Sequence, residues 1–122
     1  MVLTLPWPPS VNHYWRRVGQ KTLISREGRE YRTRVRQRLG LLSGEASTRR
    51  LAVSIEAFPP DRRRRDLDNV LKALLDALEH AGVYEDDSQI DELHVYRRKP
   101  RKPGQVIVDL IEIFGKGDTD GG

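Results

Sequence analysis

The chain has 122 residues, 37% hydrophobic and 33% charged, with no cysteine, which suits one compact domain and excludes disulfides and thiolate zinc sites. No apolar run approaches the roughly 18 residues of a membrane span, and the start Met1-Val2-Leu3-Thr4-Leu5-Pro6 lacks the basic opening and long apolar run of a secretory signal, so a soluble, intracellular protein is expected. The formal charge of +4 hides a steep asymmetry: residues 1–65 carry 15 Lys or Arg against 5 Asp or Glu, and residues 66–122 carry 7 against 13.

In chain order, Val2 to Leu5 reads as a short strand stopped by Pro6, Pro8 and Pro9, which cannot donate to a ladder. Trp7, His13, Tyr14 and Trp15 then fall in an irregular basic segment, followed by a short strand at Lys21 to Ile24 with the turn at Gly19. Ser25 is a good N-cap for a first helix from Arg26 to about Leu42. Its apolar stripe is Tyr31, Val35, Leu39 and Leu42, and Arg29, Arg32, Arg34, Arg36 and Arg38 fill the opposite faces. Gly44 with Ser47-Thr48 closes it. Leu51 to Phe58 alternates as a strand, with Leu51, Val53, Ile55 and Ala57 on one side, and ends at Pro59-Pro60.

A second helix is expected from Asn69 to about Ala81, with Asp68 as N-cap and Gly82 as the residue after the cap. Val70, Leu71, Leu74, Leu75 and Leu78 form its buried face; Lys72, Asp76 and Glu79 lie off it. Residues 82–87 read as a polar link. Ile90 to Arg98 and Gln105 to Phe114 read as strands joined by the basic loop from Lys99 to Gly104. Residues 115–122 lack an apolar anchor, and a disordered tail is expected. The order is roughly β-(β)-α-β-α-β-β: one α+β domain over residues 1–114, with two main helices on a mixed sheet.

The charge boundary falls inside Arg62-Arg63-Arg64-Arg65-Asp66-Leu67-Asp68, where four cations abut a carboxylate pair. A basic surface beside an acidic cluster points to a polyanion processed with a cation; the alternative is a solvated charged surface without a partner. Phosphodiester hydrolysis needs an activated water and a stabilised leaving oxygen, and carboxylate-held Mg²⁺ supplies both. In extended form, Asp66 and Asp68 would share one side, with Leu67 turned to the core. Lys72, at i+4 from Asp68, would orient water or neutralise charge on the phosphate. Taken alone, these residues leave two readings open. Asp68 could be a helix cap, Asp86-Asp87-Ser88 a polar turn and Lys72 a surface ion pair. His13 and His94 show no metal-ligand spacing, and His80 sits too near its helix C-terminus to join the group.

The run Pro60-Asp61-Arg62-Arg63-Arg64-Arg65-Asp66-Leu67-Asp68-Asn69, with Lys72, Asp76-Ala77-Leu78, Ala81-Gly82 and Asp86-Asp87, closely resembles the RusA-type Holliday-junction resolvases. The opening Leu5-Pro6-Trp7-Pro8-Pro9-Ser10, with Asn12 and Tyr14, is similar to that family's N-terminal signature. The resemblance implies a homodimeric, Mg²⁺- or Mn²⁺-dependent endonuclease that cuts four-way DNA junctions by paired, symmetric incisions, cytoplasmic and encoded by a bacterium, phage or prophage. It further implies Asp66, Asp68 and Asp87 as metal-binding carboxylates, Lys72 as the essential lysine, and Asp86 as accessory. The basic segment Arg16-Arg17-Val18-Gly19-Gln20-Lys21 departs from the family pattern in length and charge placement, so no cleavage-sequence preference is carried over. A nuclease acting on other branched DNA, or a junction-binding protein without activity, are the competing expectations.

Overall fold

The computed structural model describes residues 1–40 and 44–114. Leu42 and the expected tail at 115–122 lie outside the described residues. The elements are β1 (Val2–Pro6), α1 (Val11–Tyr14), β2 (Trp15–Val18), β3 (Lys21–Ile24), α2 (Arg26–Leu39), β4 (Leu51–Phe58), α3 (Asp68–His80), a 3₁₀ turn (Asp87–Gln89), β5 (Ile90–Arg97) and β6 (Gln105–Glu112). The α+β expectation holds. No helix among the described residues is long and apolar enough to cross a membrane.

β1, β6, β4 and β5 form one sheet in that order. β6 runs antiparallel to both its neighbours, whereas β4 and β5 are parallel, from Leu51 beside Ile90 to Ala57 beside Arg97. Parallel neighbours need a crossover, and α3 supplies it. The alternation of β4 buries Leu51, Val53, Ile55 and Ala57 on the helix-facing side, joined there by Val106, Val108 and Leu110 of β6. Burying each such Val, Leu or Ile side chain is worth about 1.5–3 kcal/mol. From the helices come Tyr31, Val35 and Leu39, and Ala73, Leu74, Ala77 and Leu78. The buried face of α3 is therefore centred on Ala73 and Ala77, and Leu71 and Leu75, expected inside, are only half-buried.

Three local expectations change. The segment before β3 is a helical turn, α1, running into β2, which pairs with β3 as a hairpin around Gly19 (φ 62°). α2 ends at Leu39, with Gly40 in the left-handed region at φ 44°, several residues before the expected stop. The link after α3 is not simply polar: Tyr84 is buried, and its hydroxyl donates to the Leu75 carbonyl at 2.6 Å. α3 itself closes as expected with Gly82 at φ 84°. The Val83 N–H reaches the Leu78 carbonyl and the Gly82 N–H the Glu79 carbonyl, which satisfies the last orphan acceptors of the helix.

Candidate active site

The arginine run is built by its own first residue. Asp61 accepts from the Arg63 N–H at 2.9 Å and from Arg65 Nη1 at 2.6 Å, and these donors hold its carboxyl at about 2, below the usual carboxylate range. Arg97, at the end of β5, donates through Nη2 to the Arg65 carbonyl at 2.6 Å. The run is thereby fastened to the sheet end from which α3 departs.

The Asp66-Leu67-Asp68 triplet is not extended. Leu67 is helical at φ −61°, ψ −37°, and it, not Asp68, occupies the cap position. Asp68 is the first residue of α3, and no side-chain cap bond is made there. The chain is already turning, because the Asn69 N–H bonds the Asp66 carbonyl and the Val70 N–H bonds the Leu67 carbonyl. One part of the expectation survives: Leu67 packs half-buried against the core, and Asp66 and Asp68 stay exposed. Both carboxylates stand at the N-terminal end of α3.

Along α3, Asp68, Lys72, Asp76 and Glu79 follow at spacings of four, four and three, which is one face of a helix. Lys72 is exposed and forms no ion pair among the described residues. Asp76 turns to α2, where Arg32 meets its Oδ2 through Nε at 3.0 Å and Nη2 at 2.8 Å. Arg32 was expected on the solvent face and instead joins the helices. At the far end, the carboxylate oxygens of Glu79, Asp86 and Asp87 lie within 4.8 Å of one another. The Asp87 N–H donates to Glu79 Oε1 at 2.9 Å.

The loop carrying Asp87 is pinned by Gln89. Its side-chain oxygen accepts the Glu85 and Asp86 N–H groups, and its amide donates to the Ser47 and Arg49 carbonyls. Asp86 caps the 3₁₀ turn by accepting the Ser88 N–H. That bond, and the one from Asp87, lower its pKa. Burial pushes Asp87 up, as do the hydrogen bond and charge of Asp86, and the Lys72 ammonium opposes them. Adjacent carboxylates of this kind hold a proton or a cation between them more readily than either alone.

Asp87 is thus brought to Glu79 and Asp86, not to Asp66 and Asp68. Within one chain the two groups stand at opposite ends of α3, a helix of roughly 20 Å. The topology dictates it. β4 and β5 are parallel and begin at the same end of the sheet, so the residues leaving β4 and those entering β5 are a strand length apart. Glu79 carried no role in the sequence, although its i+7 spacing from Lys72 is a usable signal. His80, near the C-terminus of α3, is kept neutral-leaning by partial burial and by Arg32 and Arg36.

Between residues 6 and 111 the chain matches the family described as endodeoxyribonuclease RusA. The chain belongs to the RusA family. It is 46% identical over 110 residues to the crossover junction endodeoxyribonuclease RusA of Enterobacteria phage HK97, covering 89% of this chain and 92% of that protein. To the protein of the same name from Shigella sonnei strain Ss046 it is 42% identical over 114 residues, 91% and 93% of the two chains. The Enterobacteria phage 82 protein is 40% identical over 112 residues, again 91% and 93%. The family match spans Asp66, Asp68, Lys72 and Asp87, so every candidate catalytic residue lies in the RusA-like part.

The donor chemistry of this RusA family member fits a hard divalent cation. Asp66, Asp68, Glu79, Asp86 and Asp87 offer only carboxylate oxygens, the ligands that Mg²⁺ and Mn²⁺ prefer over imidazole or thiolate.

Proposed function

We propose that this chain is a structure-selective endonuclease that resolves four-way DNA junctions, working as a homodimer that makes paired, symmetric incisions by Mg²⁺-dependent phosphodiester hydrolysis. The observation that carries the reading is the likeness over 110 residues to a crossover junction endodeoxyribonuclease, within which the carboxylates and Lys72 of this chain fall. Asp66, Asp68 and Asp87 are assigned to the metal, Asp87 reaching the other two across the dimer, and Lys72 to the reacting phosphate. Bound there, Mg²⁺, with Mn²⁺ as a substitute, would polarise the phosphate and lower the pKa of a water.

The chain's own groups do the rest. Lys72 neutralises charge that builds on the phosphate oxygens. The exposed Arg62, Arg63 and Arg64, next to Asp66, grip the backbone on either side of the cut; such contacts position DNA without reading its sequence. A four-way junction has approximate two-fold symmetry, so a two-fold dimer would present equivalent sites to opposing strands. The same reading places the protein in a bacterial cytoplasm, where such junctions arise.

The test is a labelled synthetic four-way junction incubated with the protein and Mg²⁺ or with chelator. Metal-dependent, symmetric nicking is expected, and little cutting of linear duplex. Asp68→Asn should lower cutting at least 100-fold, on the order of magnitude of losing an electrostatic catalytic group, while junction binding in chelator stays within a few-fold. Tight binding without metal-dependent nicking makes the protein a non-catalytic junction binder. Preference for flaps or forks over junctions makes it a nuclease of other branched DNA.

A further inference from the structure

Beside Asp66, the segments Trp7–Ser10 and Arg64–Val70 enclose an open cleft of about 560 Å³, within the roughly 300–1,000 Å³ of small-ligand sites. Among the residues that line it are Trp7, Pro8, the exposed His13, Arg64, Asp66 and Asn69. Trp7 is not free to swing. The Arg65 guanidinium lies 6.0 Å from its ring centroid, and that guanidinium is itself held by Asp61. From behind, Gly104 (φ 95°) approaches so closely that a Cβ there would stand 2.9 Å from both Trp7 Cβ and Pro60 Cδ. His13 is steadied by Ser10, whose hydroxyl lies 3.2 Å from Nδ1.

The chemistry of these walls selects one kind of occupant. In the reading above Asp66 is committed to the metal, which leaves Arg64 as the charged side chain of the rim, and a charged rim disfavours an apolar occupant. A neutral, flat, polar-edged group suits all of them: an aromatic face to stack on, an amide to meet a base edge, and a cation for the phosphate that travels with it. Resting on the junction-cutting reading above, we propose that this cleft receives one nucleobase adjoining the phosphate to be cut, unstacked from its neighbour and laid against Trp7. At a branch point a base has already lost a stacking neighbour, so unstacking costs least there. In continuous duplex the full cost remains, and the cleft therefore favours branched DNA over linear DNA.

Junctions with an abasic nucleotide at each position flanking the mapped incision test this. With wild-type protein, one such position should reduce both cutting and chelator-stage binding on the order of ten-fold. Trp7→Leu should show a similar loss on the intact junction, with no further loss on the abasic one, and Trp7→Phe should restore most of it. Independence of every abasic position, or losses that simply multiply in Trp7→Leu, overturns the proposal. A readout without any variant guards against misfolding. The two tryptophans are Trp7 and Trp15, and emission should be quenched more by the intact junction than by the abasic one at equal saturation; equal quenching also overturns the proposal. A wild-type protein that cuts junctions but ignores every abasic position sinks the cleft alone. One that leaves all junctions uncut removes the resolvase reading, and the cleft assignment with it.

Discussion

Tyr14 shows how one buried polar group can tie three helices. Its side chain is fully buried, and its hydroxyl donates to Asp76 of α3. Arg32 of α2 reaches the same oxygens, with Nε 3.0 Å from the Tyr14 hydroxyl. Burial and the neighbouring Asp76 carboxylate push the phenol well above its usual pKa, so it stays a proton donor at any working pH. Asp76 and Arg32 are themselves only about a quarter and a fifth exposed. Removing the hydroxyl leaves both short of a partner inside the protein. Tyr14→Phe should therefore cost about 1–3 kcal/mol, read as a lower urea midpoint with an unchanged slope. An unchanged midpoint would mean that water takes over the hydroxyl's bonds.

At the scale of elements, the contact between α2 and the β2–β3 hairpin depends on Gly28. Ser25 starts the helix by accepting the Gly28 N–H at 2.9 Å, and its single hydroxyl proton is shared between the carbonyls of His13 and Tyr14. That arrangement draws the helix against the end of α1. A Cβ on Gly28 would run into the Tyr14 carbonyl oxygen and stand 2.7 Å from Ile24 Cγ1. In an open helix, Gly→Ala gains up to about 1 kcal/mol. Here overpacking against a backbone atom outweighs that gain, and Gly28→Ala should destabilise by roughly 1–3 kcal/mol. Thermal unfolding decides it: a raised Tm would show that the hairpin yields at little cost.

For the whole molecule, the parallel pairing of β4 with β5 sets the terms on which a catalytic set can form. Asp66 and Asp68 follow the end of β4, and Asp87 precedes the start of β5, with α3 between them. In the proposed dimer, a site made of Asp68 from one protomer and Asp87 from its partner would satisfy that geometry. Mixing two inactive variants separates the arrangements. If sites are shared, a heterodimer of Asp68→Asn and Asp87→Asn keeps one site with both aspartates and should nick one strand of the junction, at up to about half the wild-type nicking rate for that protomer pair. If each site lies within one subunit, both remain dead and the mixture stays inactive.

Apolar spacing, together with the caps and the Pro and Gly stops, located β4, α2 and α3 to within a few residues, because alternation and the i, i+4 stripe are what burying one face of a strand or helix requires; β5 and β6 followed from strand-forming runs on either side of a basic loop. α1 and β2 were illegible. A four-residue helix has no period to read, and β2 carries Arg16 and Arg17 exposed, without an apolar face. Local composition also singled out Asp66, Asp68 and Lys72, since a carboxylate pair after four arginines is unusual by itself, and the family motif added Asp87. Only tertiary structure decided that Leu67 would wind into α3, that Arg32 would turn inward to Asp76, and that Asp87 would settle beside Glu79. Each of these depends on what packs across from the residue, and the distance between the two carboxylate groups depends on strand pairing and helix length. A sequence read one residue after another carries the donors, whereas the sheet determines which of them can meet.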